Sequence, residues 1–316
     1  MAFLDALSSM LSITLLASVG FALTRRSWIT PGIEQFLPTL LMKVVLPPYL
    51  AATVCTHFQR EQFLGLIIGS AIPAAGIVLT FALILALAHL LRVDALHRRL
   101  TAVMACLSNT IFIGLPVNVA LFGEKGLPYL LLYYFANTGL QWTLGTFSIC
   151  GEAESGARRP PLGAVLRRVV SPPLLGMLTG VGMILLDIPM PKVLLATCRY
   201  LGGMCTPLAL IYVGAMLARV RWAGAGRDVK DVAVGMFGRV LVCPVVTLLL
   251  LAPFDLPLLM KQAFVIQAGL PVIANITVMS AYFGADRRFA SIFVAVSTVA
   301  GMGTVPVWAA ILERIL

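Results

Sequence analysis

Ten apolar stretches, each close to or above twenty residues and parted by short charged gaps, constrain this 316-residue chain before any motif is read. They run over about 3–24, 33–55, 62–91, 99–122, 126–150, 169–187, 193–218, 231–252, 258–283 and 288–312. A spanning helix needs about 20 mostly apolar residues to cross a hydrocarbon core of roughly 30 Å. Only 11% of the residues are charged and 60% are hydrophobic, where a soluble protein is nearer about 25% charged. A soluble fold of this size could not hide so much apolar surface, and a disordered chain has the opposite composition. The net charge of +10 would suit nucleic acid, but footprints for nucleic acid lie on polar surfaces. Here the charges form small clusters between apolar runs. The expectation is an all-α polytopic membrane protein, set in a lipid bilayer and with no nucleic acid partner.

The first stretch carries Asp5 and is followed by Arg25-Arg26. A cleavable signal peptide has the reverse charge order, so the stretch reads as a retained helix. The third is long enough to tilt or kink, and Pro73 offers the place. Cys55, Cys106, Cys150, Cys198, Cys205 and Cys243 lie in or beside apolar stretches with no CxxC and no regular spacing. That is neither a disulfide framework nor a zinc site. The sequence carries no nucleophile triad, metal-ligand spacing or phosphate loop, so no enzyme, cofactor or metal is expected. His57, His89 and His97 fall in or near loops and form no proton relay.

Orientation follows from Lys and Arg, which stay in cytoplasmic loops. Fifteen of them fall on one side: Arg25, Arg26, Arg92, Arg98, Arg99, Arg158, Arg159, Arg167, Arg168, Arg219, Arg221, Arg227, Lys230, Arg287 and Arg288. Arg60, Lys125, Lys192, Lys261 and Arg314 make five on the other, which also holds both termini. Ten spans with both termini outside the cytoplasm, in a cell (inner) membrane, satisfy this alternation.

The longest polar gap, 151–168, divides the chain into 1–150 and 169–316, five stretches each. Five is odd, so the second half enters from the opposite face and any repeat is inverted. Weak internal matches agree. Ala120-Leu121-Phe122-Gly123 answers Ala281-Tyr282-Phe283-Gly284, and Asn137-Thr138 in the fifth stretch answers Ser297-Thr298 in the tenth. Pro47-Pro48 in the second answers Pro207 in the seventh. Inverted repeats are a signature of secondary transporters.

The fourth stretch holds Asn109, Thr110, Gly114 and Pro116, and the ninth holds Gln267, Gly269, Pro271 and Asn275. A proline inside a span frees backbone groups, which in hydrocarbon must face protein or a polar cavity. Two broken helices in opposed halves point to a midplane binding site, with half-helix N-termini able to hold an anion. The plainer alternative is that Gly and Pro only kink and pack these helices.

SNTIFIGLPVNVALFG (108–123), with the stretch from Gln267 to Trp308, resembles the auxin efflux carrier family. That family includes plant auxin exporters and bacterial carriers usually labelled malonate transporters. The segments Lys43–Pro48 and Pro207–Gly214 fit the same pattern, so the resemblance covers essentially the whole chain. It implies two inverted five-helix repeats whose fourth and ninth helices cross, the fold of bile-acid sodium symporters and sodium/proton antiporters. It also implies a scaffold of helices 1, 2, 6 and 7, a transport domain of helices 3–5 and 8–10, and a possible homodimer through the scaffold. The implied substrate site lies at the crossing, beside Asn109, with Pro116, Pro271 and Asn275 carried over. Plant carriers have a long cytoplasmic loop where this chain has the short 151–168 linker.

Three cations lie inside apolar stretches. At 1.5 Å per residue, Lys43 is roughly 15 Å and Arg239 about 12 Å from the cytoplasmic start of its stretch, while Arg199 is about 9 Å from an outer end. An ionisable residue so deep is a functional candidate, although long stems also snorkel to the interface. Lys43 and Arg239 are taken as candidates for raising the local positive potential, and Arg199 as an anchor. Asn137, Gln141 and Gln267 are amides at depth, read first as interhelical hydrogen-bond partners, with Asn137 and Gln267 kept as candidate substrate ligands. The expected function is elevator-type alternating access for a small organic anion, a carboxylate of malonate-like or auxin-like kind, driven by the membrane potential. A sodium- or proton-coupled symporter and a metabolite-binding sensor are the alternatives.

Overall fold

In lipid every backbone N–H and C=O must be paired within the segment, so long apolar runs become helices. The computed structural model, which describes residues 2–57, 69–150, 171–220, 226 and 228–316, is helical, with no strand among the described residues. Its helices fall into ten groups along the chain. They are α1 (Ala2–Arg25), α2 (Pro31–His57), α3 (Ala71–Leu90), α4 in two halves (Arg98–Cys106 and Gly114–Phe122) and α5 (127–150). Then come α6 (Pro172–Leu185), α7 (Lys192–Ala218), α8 (Val229–Leu251), α9 in two halves (Leu258–Gly269 and Ile276–Phe283) and α10 (Arg287–Ile315). Five of these, α2, α3, α7, α8 and α10, are long and apolar enough as described to cross a membrane. The chain is a multi-pass membrane protein. Pro73 lies in the first turn of α3, which starts at Ala71 just past a turn at Ser70, and a proline is tolerated there; the part of the third stretch before residue 69 lies outside the described residues. The 151–168 linker lies outside the described residues.

Small residues set the packing, as expected between membrane helices. A Cβ on Gly214 of α7 would lie 1.8 Å from the Ala17 carbonyl oxygen of α1, and one on Gly20 would lie 2.1 Å from the Ile211 carbonyl oxygen. The pair α2–α6 repeats the device, since a Cβ on Gly176 would lie 2.2 Å from the Pro47 carbonyl oxygen. Around the other six helices runs a continuous core that includes Met104, Tyr133, Phe264, Phe289 and Phe293.

Among the described residues, three helices contain a π turn: Leu41–Val45 in α2, Gln141–Gly145 in α5 and Gly238–Val242 in α8. These turns carry Lys43, Gln141 and Arg239. Such bulges are frequent at functional sites because they re-aim side chains out of the regular helical register. In α8 the local cause is legible. Pro244 has no N–H to give the Val240 carbonyl, and Trp308 Nε1 donates to it instead at 2.8 Å.

Polar contacts tie the helix ends. His97 Nδ1 lies 2.9 Å from an Asp231 oxygen and Nε2 3.4 Å from Asp286, with the ring stacked on Phe289 at 4.0 Å. Arg288 pairs with Asp228 at 2.6 Å, Arg219 with Glu34, and Lys230 Nζ donates to the Arg92 carbonyl. Burial alone would raise the Asp286 carboxyl, but the Phe289 N–H it caps and the His97 ring hold it below the usual range. These contacts join loops that the basic-residue count assigns to one side. His57 and Glu124, 3.5 Å apart, join two loops assigned to the other.

Candidate functional site

Leu270 precedes Pro271, and the residue before a proline is driven out of the helical region. It is extended (φ −64°, ψ 159°), and the first half of α9 stops there. The first half of α4 stops without a proline, at Leu107 (φ −91°, ψ 123°). The two unwound stretches cross antiparallel. Asn109 N–H donates to the Pro271 carbonyl at 2.9 Å and Ile273 N–H to the Leu107 carbonyl at 3.3 Å, flanking an isolated bridge between Ser108 and Val272.

Side chains satisfy what remains of the crossing backbone. The Asn137 amide takes both groups of Ser108, accepting from its N–H at 2.9 Å and donating to its carbonyl at 3.0 Å. Ser297 Oγ accepts from Val272 N–H at 3.3 Å. Gln267 Nε2 donates to the Gly114 carbonyl at 3.3 Å, locking the end of one half-helix to the start of another. A Cβ on Gly114 would lie 2.6 Å from Gln267 Oε1 and 2.7 Å from Leu270 Cδ1, so a larger residue would displace the Gln267 and Leu270 side chains that join the halves. Arg239 is 1% exposed behind the crossing. Its Nη2 donates to the Ala268 carbonyl and, at 2.7 Å, to Ser108 Oγ.

A cavity of about 360 Å³ opens beside the crossing, between α2, α4, α5, α7 and α9, and reaches Ser171 at the start of α6. Ligand sites commonly measure about 300–1,000 Å³. Lys43, Asn109, Thr110, Asn137 and Asn275 line it together. Asn109 Oδ1 is occupied by the Phe112 N–H at 3.2 Å, while its Nδ2 has no acceptor among the described residues. Asn275, at the start of the second half of α9, makes no side-chain cap. No Asp or Glu is among the described residues lining this cavity.

The structure places the other candidates elsewhere. Gln267 and Arg239 sit behind the crossing, Pro116 is buried in the first turn of the second half of α4, and Pro271 faces a second void. That void, about 20 Å³, lies between α1, α4, α7 and α10 and is lined mainly by apolar side chains such as Ile113, Val117 and Val213. Sequence reasoning missed Tyr134, Trp142, Ser171, Phe112 and Tyr212, which also line the large cavity. The Phe112 and Tyr212 rings are 5.1 Å apart. The buried Tyr134 hydroxyl lies beside those of Ser171 and Thr138. Phe112 and Tyr212 lie inside the segments 108–123 and Pro207–Gly214, and Trp142 follows Gln141, so these three carried a signal in the sequence.

A family model described as membrane transport protein matches residues 5–309. Among curated proteins, none matches the chain at a significant level.

Proposed function

Because the chain belongs to the membrane transport protein family of auxin efflux carriers, we propose that it is a secondary carrier for a small organic anion, held where α4 and α9 cross. The observation that carries this reading is the composition of the larger cavity. One ammonium (Lys43), one spare amide donor (Asn109) and one uncommitted amide (Asn275) meet there with no carboxylate among the described lining. Neutral donors plus one cation suit a carboxylate, and the aromatic flank suits an apolar body. Thr110 and Asn137 complete the polar wall.

Alternating access is supported by the second void. Exchanging the halves 1–150 and 169–316 carries α2, α4, α5, α6 and α9 of the large cavity onto α7, α9, α10, α1 and α4, which border the small one; α7 alone has its counterpart, α2, outside that lining. The same exchange relates α1–α7 to α2–α6, and the Asn137 bond to Ser108 to the Ser297 bond to Val272. In this reading the halves are an inverted repeat, α1, α2, α6 and α7 are the scaffold, and the other six helices move against it as an elevator. The cytoplasm lies on the side of the His97 cluster, both termini lie outside, and the membrane is the inner one.

The carrier runs on the membrane potential. Each negative charge leaving a negative interior gains about 2.3 kcal/mol per 100 mV. The test begins with binding. Melting of the purified protein is followed against a panel of dicarboxylates, monocarboxylates and indole acids, for the natural chain and for Asn109→Asp. The substitution keeps the acceptor for Phe112 N–H, replaces the donor and adds a repelling charge. At least one anion should raise the melting temperature of the natural chain, and Asn109→Asp should fold as well yet show no such rise. Equal shifts in both proteins, or none in either, would overturn the crossing as an anion site.

A further inference from the structure

The anion site uses Lys43 and leaves a second, deeper cation without a task. Arg239 is 1% exposed, and among the described residues no carboxylate pairs with it. Its Nε and Nη1 have no hydrogen-bond acceptor there either. An ionised group in so apolar a setting is expensive unless something answers its charge. The answer lies in what Nη2 touches. Ala268 is the penultimate residue of the first half of α9, and Ser108 lies two residues beyond Cys106, which ends the first half of α4. The guanidinium therefore meets the carbonyl end of the first half of α9 directly and, through the Ser108 hydroxyl, the residue just past the C-terminal end of the first half of α4. Each such end is equivalent to about −0.5 of an elementary charge, so one guanidinium balances two.

In carriers built from broken helices, unwound carbonyls and half-helix C-termini are the groups that coordinate a coupling sodium ion or proton. We propose that Arg239 is a resident cation: tethered to α8, it fills the place between the C-terminal ends of these two half-helices that a soluble coupling cation would otherwise occupy. This deepens the carrier reading and rests on it. The local construction serves the placement. The π turn Gly238–Val242 turns Arg239 inward, and a Cβ on Gly238 would lie 2.7 Å from Ile84 Cδ1 and 2.8 Å from Ala105 Cβ. Only glycine lets α8 come close enough to α3 and α4 to deliver the side chain. Ser108, which takes one guanidinium bond, is also among the residues lining the cavity, so the fixed charge stands one residue behind the anion site. Arg239 thus acts as a positioning residue, holding the two half-helix ends together while adding its potential to that of Lys43.

The test uses the purified full chain and needs no transported molecule, so it stands apart from the Asn109 result. Melting is compared in sodium chloride and choline chloride, and ²²Na⁺ binding is measured directly. The natural chain should melt at the same temperature in both salts and bind no sodium saturably. Arg239→Lys, which keeps the charge, should melt within a few degrees of the natural chain. Arg239→Met, similar in length but apolar, should melt several degrees lower. Arg239→Ala should be destabilised too, and millimolar methylguanidinium should restore it while tetramethylammonium does not. A packing role alone predicts that Arg239→Met equals or exceeds Arg239→Lys, which would overturn the proposal. Saturable sodium binding by the natural chain would overturn it as well. Should Arg239→Met fail to fold, Arg239→Lys decides alone: failure alongside it means that charge is not what the site requires.

Discussion

At the scale of single residues, the crossing depends on side chains that replace lost backbone partners. Ser108 is the clearest case, with its N–H and carbonyl both held by Asn137 and its hydroxyl by Arg239. An orphaned buried polar group costs about 1–3 kcal/mol. Asn137→Ala orphans two such groups, whereas Ser297→Ala orphans one whose bond is already long at 3.3 Å. Thermal melting should therefore show a distinctly larger loss for Asn137→Ala than for Ser297→Ala. Equal losses would mean that water from the cavity already serves Ser108. The sequence flagged Asn137, Gln267 and Arg239 as polar at depth, and that much is legible from hydropathy alone. Which of them faces the cavity and which braces it from behind is not, because the distinction rests on contacts across 29 to 153 positions of chain. Asn109 shows the limit within one side chain: its oxygen serves the loop and only its nitrogen remains for a ligand.

At the scale of elements, apolar length and proline placement foretold much of the helical map. Each of the ten stretches carries helix, and the break in α9 falls at Pro271. The break in α4 has no proline of its own. Pro116, paired with Pro271 in the sequence reading, sits inside the second half of α4 instead. Its break is fixed by partners on α5 and α9, which no local pattern announces. The π turns were hidden for the same reason, although Pro47 and Pro244 stand shortly after two of them. Glycine packing gives a prediction at this scale. Gly214→Ala drives a Cβ into the backbone of α1, which cannot yield, whereas a Cβ on Gly182 of α6 meets nothing within 4 Å. Alanine in place of a helical glycine is otherwise favourable by about 1 kcal/mol. Gly182→Ala should melt at or above the natural temperature and Gly214→Ala well below it. The reverse order would remove α1 from its place along α7.

At the scale of the molecule, the two cavities and the single crossing form the functional unit. One side is open, polar and lined by a cation, Lys43, while its counterpart is small and mainly apolar. A carrier must exchange those conditions to release its anion on the far side, and the potential supplies the work. The decisive measurement is flux in proteoliposomes of the anion identified by binding, with the potential clamped by potassium and valinomycin and sodium replaced by choline. Flux should follow the potential in direction and size, persist in choline, ignore an imposed pH gradient and vanish in Asn109→Asp. Binding without flux in the natural chain would make the protein a sensor, and flux that collapses in choline would make it a sodium symporter; either result contradicts a potential-driven anion carrier.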